Sequence, residues 1–129
     1  MTTDTITLTG HIGTDPRHLV TGEGVPVTSF RVATDTRRYD RDTEKWVTVE
    51  TNWYTVTCFR QLAINTARSL TKGDPVIVVG TLHVREWEQD DRKGINVELE
   101  AQTIGSDLRC GAAIFTRTDS NGIAEQEPF

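Results

Sequence analysis

From Thr5 to Ile12, apolar and polar positions alternate. Ile6, Leu8, Gly10 and Ile12 fall on one parity, and Thr5, Thr7, Thr9 and His11 on the other. A period of two places the two sets on opposite faces of a pleated strand with one face buried. Gly13-Thr14-Asp15-Pro16 punctuates it. Alternation resumes near Val25 to Thr36, where Val25, Val27, Ser29, Arg31 and Ala33 oppose Thr28, Phe30, Val32 and Thr34. Its β-branched content suits a half-buried pleated surface. A polar turn, Asp40 to Lys45, leads to a third predicted strand, Trp46 to Phe59, in which Val47, Val49, Thr51, Trp53, Thr55, Thr57 and Phe59 share one parity. The period then changes once. Over Gln61 to Thr71, Leu62, Ala63, Thr66, Ala67 and Leu70 recur at three and four residues, which predicts a short amphipathic helix. Lys72-Gly73 supplies its basic last turn and glycine stop. Pro75 opens a fourth strand, Val76 to Glu88; Asp90 to Gly94 forms a hairpin tip; a fifth strand runs from Ile95 to Ile104.

Five strands with one helix between the third and fourth is the order of an OB-fold, an all-β, five-stranded Greek-key barrel. Residues 1–107 are expected to form this one domain. Residues 108–129 lose periodicity and are expected to be a short, mostly flexible C-terminal tail. The 129 residues carry 14 Lys and Arg against 19 Asp and Glu, a net charge of −5. The barrel region holds 12 basic and 16 acidic side chains, net −4, so the acidity is not a property of the tail. A binder relying on a global positive field is excluded; nucleic-acid binding has to come from local cations and from something other than charge. The aliphatic run Val76 to Val79 is far short of the ~18 residues of a membrane span. Met1 to Thr5 has neither the basic nor the apolar region of a signal peptide, so the expected location is cytoplasmic. Cys58 and Cys110 lack the paired spacing of a zinc site and are expected as reduced thiols, with a disulfide left open.

Aromatic placement changes the picture. Tyr39 stands beside Arg37, Arg38 and Arg41; Trp53 and Phe59 share a parity, with Trp46 at the start of the same strand; Trp87 lies near the tip of the fourth strand, next to Arg85 and between two glutamates. Aromatics interleaved with arginine at strand tips suit stacking on bases better than burial, whereas Phe30 and Phe115 suit the core. At this point residues 5–105 resemble the bacterial single-stranded DNA-binding proteins. The matching stretches are Leu8-Thr9-Gly10-His11-Ile12-Gly13-Thr14-Asp15-Pro16, Phe30 to Thr34, Asn52-Trp53-Tyr54 through Phe59, Leu62-Ala63, Lys72 to Val76, Val79 to Leu82 and Arg85-Glu86-Trp87.

The resemblance implies an OB-fold, usually a homotetramer, that binds single strands with little sequence preference in replication, recombination and repair, associated with the nucleoid. It carries over Tyr39, Trp53, Phe59 and Trp87 as base-stacking positions, to which Trp46 is added. Arg31, Arg37, Arg38, Arg41, Lys72, Arg85, Arg92 and Lys93 are the candidates for phosphate contact. Three departures stand out. Glu86 precedes the last tryptophan where relatives often have a basic residue, Thr55 stands where they have Arg, and Asp40, Asp42 and Glu44 fill a turn that often bears lysine. They predict a weaker or more salt-sensitive grip than the family norm. The linker is short, as in a specialised paralogue, but the end, Glu125-Gln126-Glu127-Pro128-Phe129, resembles a diluted form of the family's acidic tip. Glu125, Glu127, Pro128 and Phe129 are therefore the expected contacts to replication and repair proteins.

An enzyme is not expected. His11, His18 and His83 are scattered, with no acid, serine or cysteine at a telling offset. Nor is a cofactor or metal: a calcium loop begun at Asp40 would have Lys45 at its glycine position and Thr51 at its twelfth. The alternatives are an OB-fold protein-interaction subunit resembling those of primosomes, or a binder of single-stranded RNA.

Overall fold

A computed structural model describes residues 3–118 and the backbone of residues 124–125. The elements are β1 (Thr5–Ile12), β2 (Arg17–Val20), β3 (Pro26–Asp40), β4 (Lys45–Phe59), α1 (Arg60–Ser69), β5 (Pro75–Gln89), β6 (Arg92–Ser106), β7 (Arg117–Thr118) and β8 (Ala124–Glu125). The main sheet runs β1-β5-β6-β4-β3-β2, and a further pairing of β1 with β3 closes its first five strands into a ring. This is the expected all-β OB-fold barrel, with α1 between the strands predicted as third and fourth. All ladders of the ring are antiparallel except β4 with β6, where Thr55, Val56 and Thr57 run parallel to Glu98, Leu99 and Glu100.

Alternation explains the core. Leu8 and Ile12 of β1, Phe30 and Val32 of β3, Val56 and Cys58 of β4, Val76 and Val78 of β5, and Leu99 and Ala101 of β6 all turn inward. Ala63 and Leu70 close the barrel from the helix side. At Gly10 a Cβ would lie 2.3 Å from the Ala33 carbonyl oxygen, so only glycine lets β1 cross β3 there. Thr28 is buried but satisfied: its hydroxyl donates to the Ala63 carbonyl (2.7 Å) and accepts from His18 Nδ1 (2.7 Å). Burial pushes the Cys58 thiol up from its ordinary range, against hydrogen bonds with Thr66 and the Thr28 carbonyl. Cys110 is exposed, and both thiols are free.

Several expectations are corrected. β2 was not anticipated: its four residues are all exposed and carry no alternation to read. The helix ends at Ser69, with Leu70 already extended, and its last turn is made basic by Arg68 instead of Lys72. Gly73, at φ +95°, belongs to the following turn, where its N–H bonds the Ile12 carbonyl (2.7 Å). The hairpin between β5 and β6 is tighter than predicted, so Arg92, Lys93 and Gly94 are strand residues. Phe115 is 76% exposed and is no part of the core. It lies in residues 111–116, a stretch without regular secondary structure that precedes a short ladder of β7 with β8. Asn65 Nδ2 of α1 donates to Thr118 Oγ1 (3.3 Å), which ties β7 to the helix. No helix among the described residues is long and apolar enough to cross a membrane.

Candidate nucleic-acid interface

β3, β4, β5 and β6 have 15 residues each, more than the barrel wall uses. Their surplus forms two hairpin arms, one from β3 and β4, the other from β5 and β6. The register decides what each face carries. On the outer face, β3 presents Ser29, Arg31, Ala33, Asp35, Arg37 and Tyr39. Opposite them, β4 presents Thr57, Thr55, Trp53 and Thr51, and then Thr48 and Trp46. The switch from odd to even positions comes from a bulge: Thr36 pairs Glu50 and Arg37 pairs Thr48, leaving Val49 as the extra residue. Simple alternation assigns Val47 and Val49 to the Trp53 face. The bulge moves them off it and brings Trp46 onto it.

The aromatic side chains are built in, not loose. Arg31 places its guanidinium carbon 4.8 Å from the centroid of the Trp53 ring, a cation–π contact. The other support is Gly13, where any Cβ would sit 2.3 Å from the indole. Thr14 Oγ1 accepts from the Arg31 N–H (3.0 Å), and the Gly13 N–H donates to the Arg31 carbonyl (2.7 Å), so this loop is anchored to the same residue. Trp53 remains 44% exposed. Phe59, on the same face six residues along, is also exposed; that spacing is roughly 20 Å of strand. Tyr39 and Trp46 form a cross-strand pair at the far end of the arm, with ring centroids 5.6 Å apart and planes tilted by 59°. In the other arm Trp87 lies over Gly94, its cross-strand partner, where a Cβ would meet the indole at 2.3 Å. Both glycines make room for an indole, a role that sequence reasoning missed. Gly94 was legible: a two-residue turn at Asp90-Asp91 puts it opposite Trp87.

The candidate cations divide. Arg31 and Arg37 share the aromatic face of the first arm. Arg85 and Arg92 share the Trp87 face of the second. By register Arg38 and Lys93 lie on the reverse faces, Arg41 in the turn between β3 and β4, and Lys72 in the loop after α1. Glu86 pairs with Ile95 and turns away from the Trp87 face. The acids that do stand on the outer face are Asp35 of β3, whose carboxylate accepts from Thr51 Oγ1 (2.7 Å), and Glu98 and Glu100 of β6, none of which the sequence reading singled out. Glu98 is flanked by Thr55 of β4 and His83 of β5. Its carboxylate forms an ion pair with Arg85, Nε to Oε2 2.6 Å, and Glu100 lies 3.6 Å from His83 Nε2. Of the expected partner-binding tip, Glu125 falls in β8 by its backbone, and Glu127, Pro128 and Phe129 lie outside the described residues. No cluster able to hold a metal ion occurs among the described residues.

A surface of this kind, exposed rings on the outer faces of the two arms with arginine laid over one of them, can offer stacking and anion contacts. The model of the single-strand binding protein family matches residues 3–107. Single-stranded DNA-binding protein 2 of Tropheryma whipplei is 47% identical over 112 residues, which span 87% of this chain and 74% of that protein. Single-stranded DNA-binding protein 1 of Streptomyces coelicolor is 38% identical over 121 residues, 92% of this chain and 76% of that one. Among solved structures, a small single-stranded DNA-binding protein from Streptomyces coelicolor superposes with a TM-score of 0.78 at 36% identity, covering 86% of this chain and all of that one. The second single-stranded DNA-binding protein from Mycobacterium smegmatis gives 0.71 at 31% identity, covering 90% of this chain and all of that one. With its barrel order and a family match over most of its length, this chain belongs to the single-strand binding protein family.

Proposed function

We propose that this protein binds single-stranded DNA without sequence preference and protects it during replication, recombination and repair. Bases stack on Tyr39, Trp46, Trp53, Phe59 and Trp87, and Arg31, Arg37, Arg85 and Arg92 meet the phosphates. The observation that carries this is Trp53: an indole on the outer face, braced by Gly13 behind and Arg31 above, yet 44% open to solvent. Every base offers a π-face, so such platforms bind without reading sequence, at roughly 1–3 kcal/mol per stack. The proposal includes no catalysis. It includes a homotetramer, supported by the edge of β1 from Thr5 to Gly10, which pairs only with β5 among the described residues. It also includes recruitment of replication and repair proteins through the C-terminal tip, and a location on the nucleoid.

The test is a titration with oligo(dT), followed by tryptophan fluorescence across salt concentrations, with the mass measured by light scattering. Binding should quench the fluorescence and weaken with salt at a slope of ~0.7 per phosphate neutralised. A protein that leaves the fluorescence unchanged at low salt does not work this way.

A further inference from the structure

Two carboxylates stand in the middle of a surface proposed to receive a polyanion. Glu98 and Glu100 lie on the outer face of β6, between the β3–β4 arm with its Trp53 and the β5–β6 arm with its Trp87. The row through Glu98 runs Arg31, Thr55, Glu98, His83 across β3, β4, β6 and β5. Arg85, two residues before Trp87 and on its face, is bound to Glu98 at 2.6 Å. By contrast, neither Arg31 nor Arg37 has a carboxylate within 4.0 Å among the described residues.

We infer that Glu98 is a built-in competitor for the strand: its carboxylate holds the Arg85 guanidinium in the free protein and gives it up to a phosphate when single-stranded DNA crosses the sheet. This rests on the strand-binding reading above. Carboxylate and phosphate are rival acceptors for the same guanidinium donors. The pair is also weak enough to exchange, because the Arg85 side chain is 68% exposed and the Glu98 side chain 32%. An exposed ion pair holds its partners loosely, whereas a buried one would lock the arginine away. Held this way, Arg85 is preset beside Trp87 and yet contributes less than a free arginine would. The device lowers affinity without removing a contact, which suits a protein that has to be cleared from the strands it coats.

The experiment is a double-mutant cycle on the full chain: wild type, Glu98→Gln, Arg85→Ala and the double variant, each titrated with fluorescein-labelled oligo(dT) at low and high KCl. Glu98→Gln should tighten binding by about two- to fivefold more when Arg85 is present than when it is absent, and the excess should shrink at high salt. Glu23→Gln, in the loop between β2 and β3, is the control for lost negative charge and should leave affinity unchanged. Equal gains in both backgrounds would reduce Glu98 to plain repulsion and overturn the exchange. Weaker binding by Glu98→Gln would make Glu98 a support for Arg85, and overturn it too. Failure of all four proteins to bind oligo(dT) would instead overturn the strand-binding reading, and the exchange with it.

Discussion

Inside the barrel, β4 and β5 alternate between sealed and open positions; in the arms the same two strands are wet on both faces. Val56 and Cys58 of β4 are fully buried, while every β4 residue from Lys45 to Trp53 is exposed. In β5 the order is reversed: Val76, Val78 and Gly80 are buried, and every residue from His83 to Gln89 is exposed. One strand thus serves two physical regimes. The barrel half is held by apolar area removed from water. The arm half has a ladder but no core, and its rings stay largely exposed. Stability and binding should therefore separate cleanly between the two regions.

The strongest test acts on the barrel. Leu99 is fully buried on β6, facing Leu82 across the antiparallel ladder and Val56 across the parallel one. Leu99→Ala removes packed methyl groups and leaves a cavity, at a cost of ~2–5 kcal/mol in unfolding free energy. Urea denaturation should show that loss, while the folded fraction binds oligo(dT) with wild-type affinity. A matching loss of affinity would mean that the barrel and the arms are not separable.

The next test acts on the first arm. Trp53→Ala removes the platform and also leaves Arg31 without the ring beneath it. Binding should weaken by ~1–3 kcal/mol, about five- to 150-fold. The urea midpoint should barely move, because the side chain lies outside the core cluster. A collapse in stability with little change in affinity would reassign Trp53 as a packing residue.

The same contrast explains what could be read from the sequence. β1 was legible to the residue because both of its faces obey one rule from Thr5 to Ile12. The inward set of β3 to β6 followed from alternation as well, since burial on one side enforces a strict period. In the arms that enforcement lapses. The bulge at Val49 shifts Trp46, Val47 and Thr48 between faces, and no periodicity announces it. β2 is four exposed residues on an edge. Glu98 illustrates the other limit: its outward parity was readable, but its closeness to Arg85 depends on which strands are neighbours in the ring. Glu86, the acid that sequence adjacency pointed to, turns to the reverse face.

The smallest effect tests how the second arm holds its ring. Gly94 has no positive φ, so alanine is compatible with its backbone. The added methyl group would nevertheless fall 2.3 Å from the Trp87 indole, which has to swing off the strand. The clash is with a side chain that is free to move into solvent, so the fold should be unharmed. Gly94→Ala should weaken oligo(dT) binding by about 1 kcal/mol, roughly fivefold, less than Trp53→Ala because the ring is displaced and not removed. Trp87 emission should shift, read in a background where Trp46 and Trp53 are phenylalanine, while the urea midpoint stays within error. If affinity holds although the emission shifts, Trp87 does not need its seat on Gly94 to stack, and the second arm is then an adaptable contact beside the fixed platform of the first.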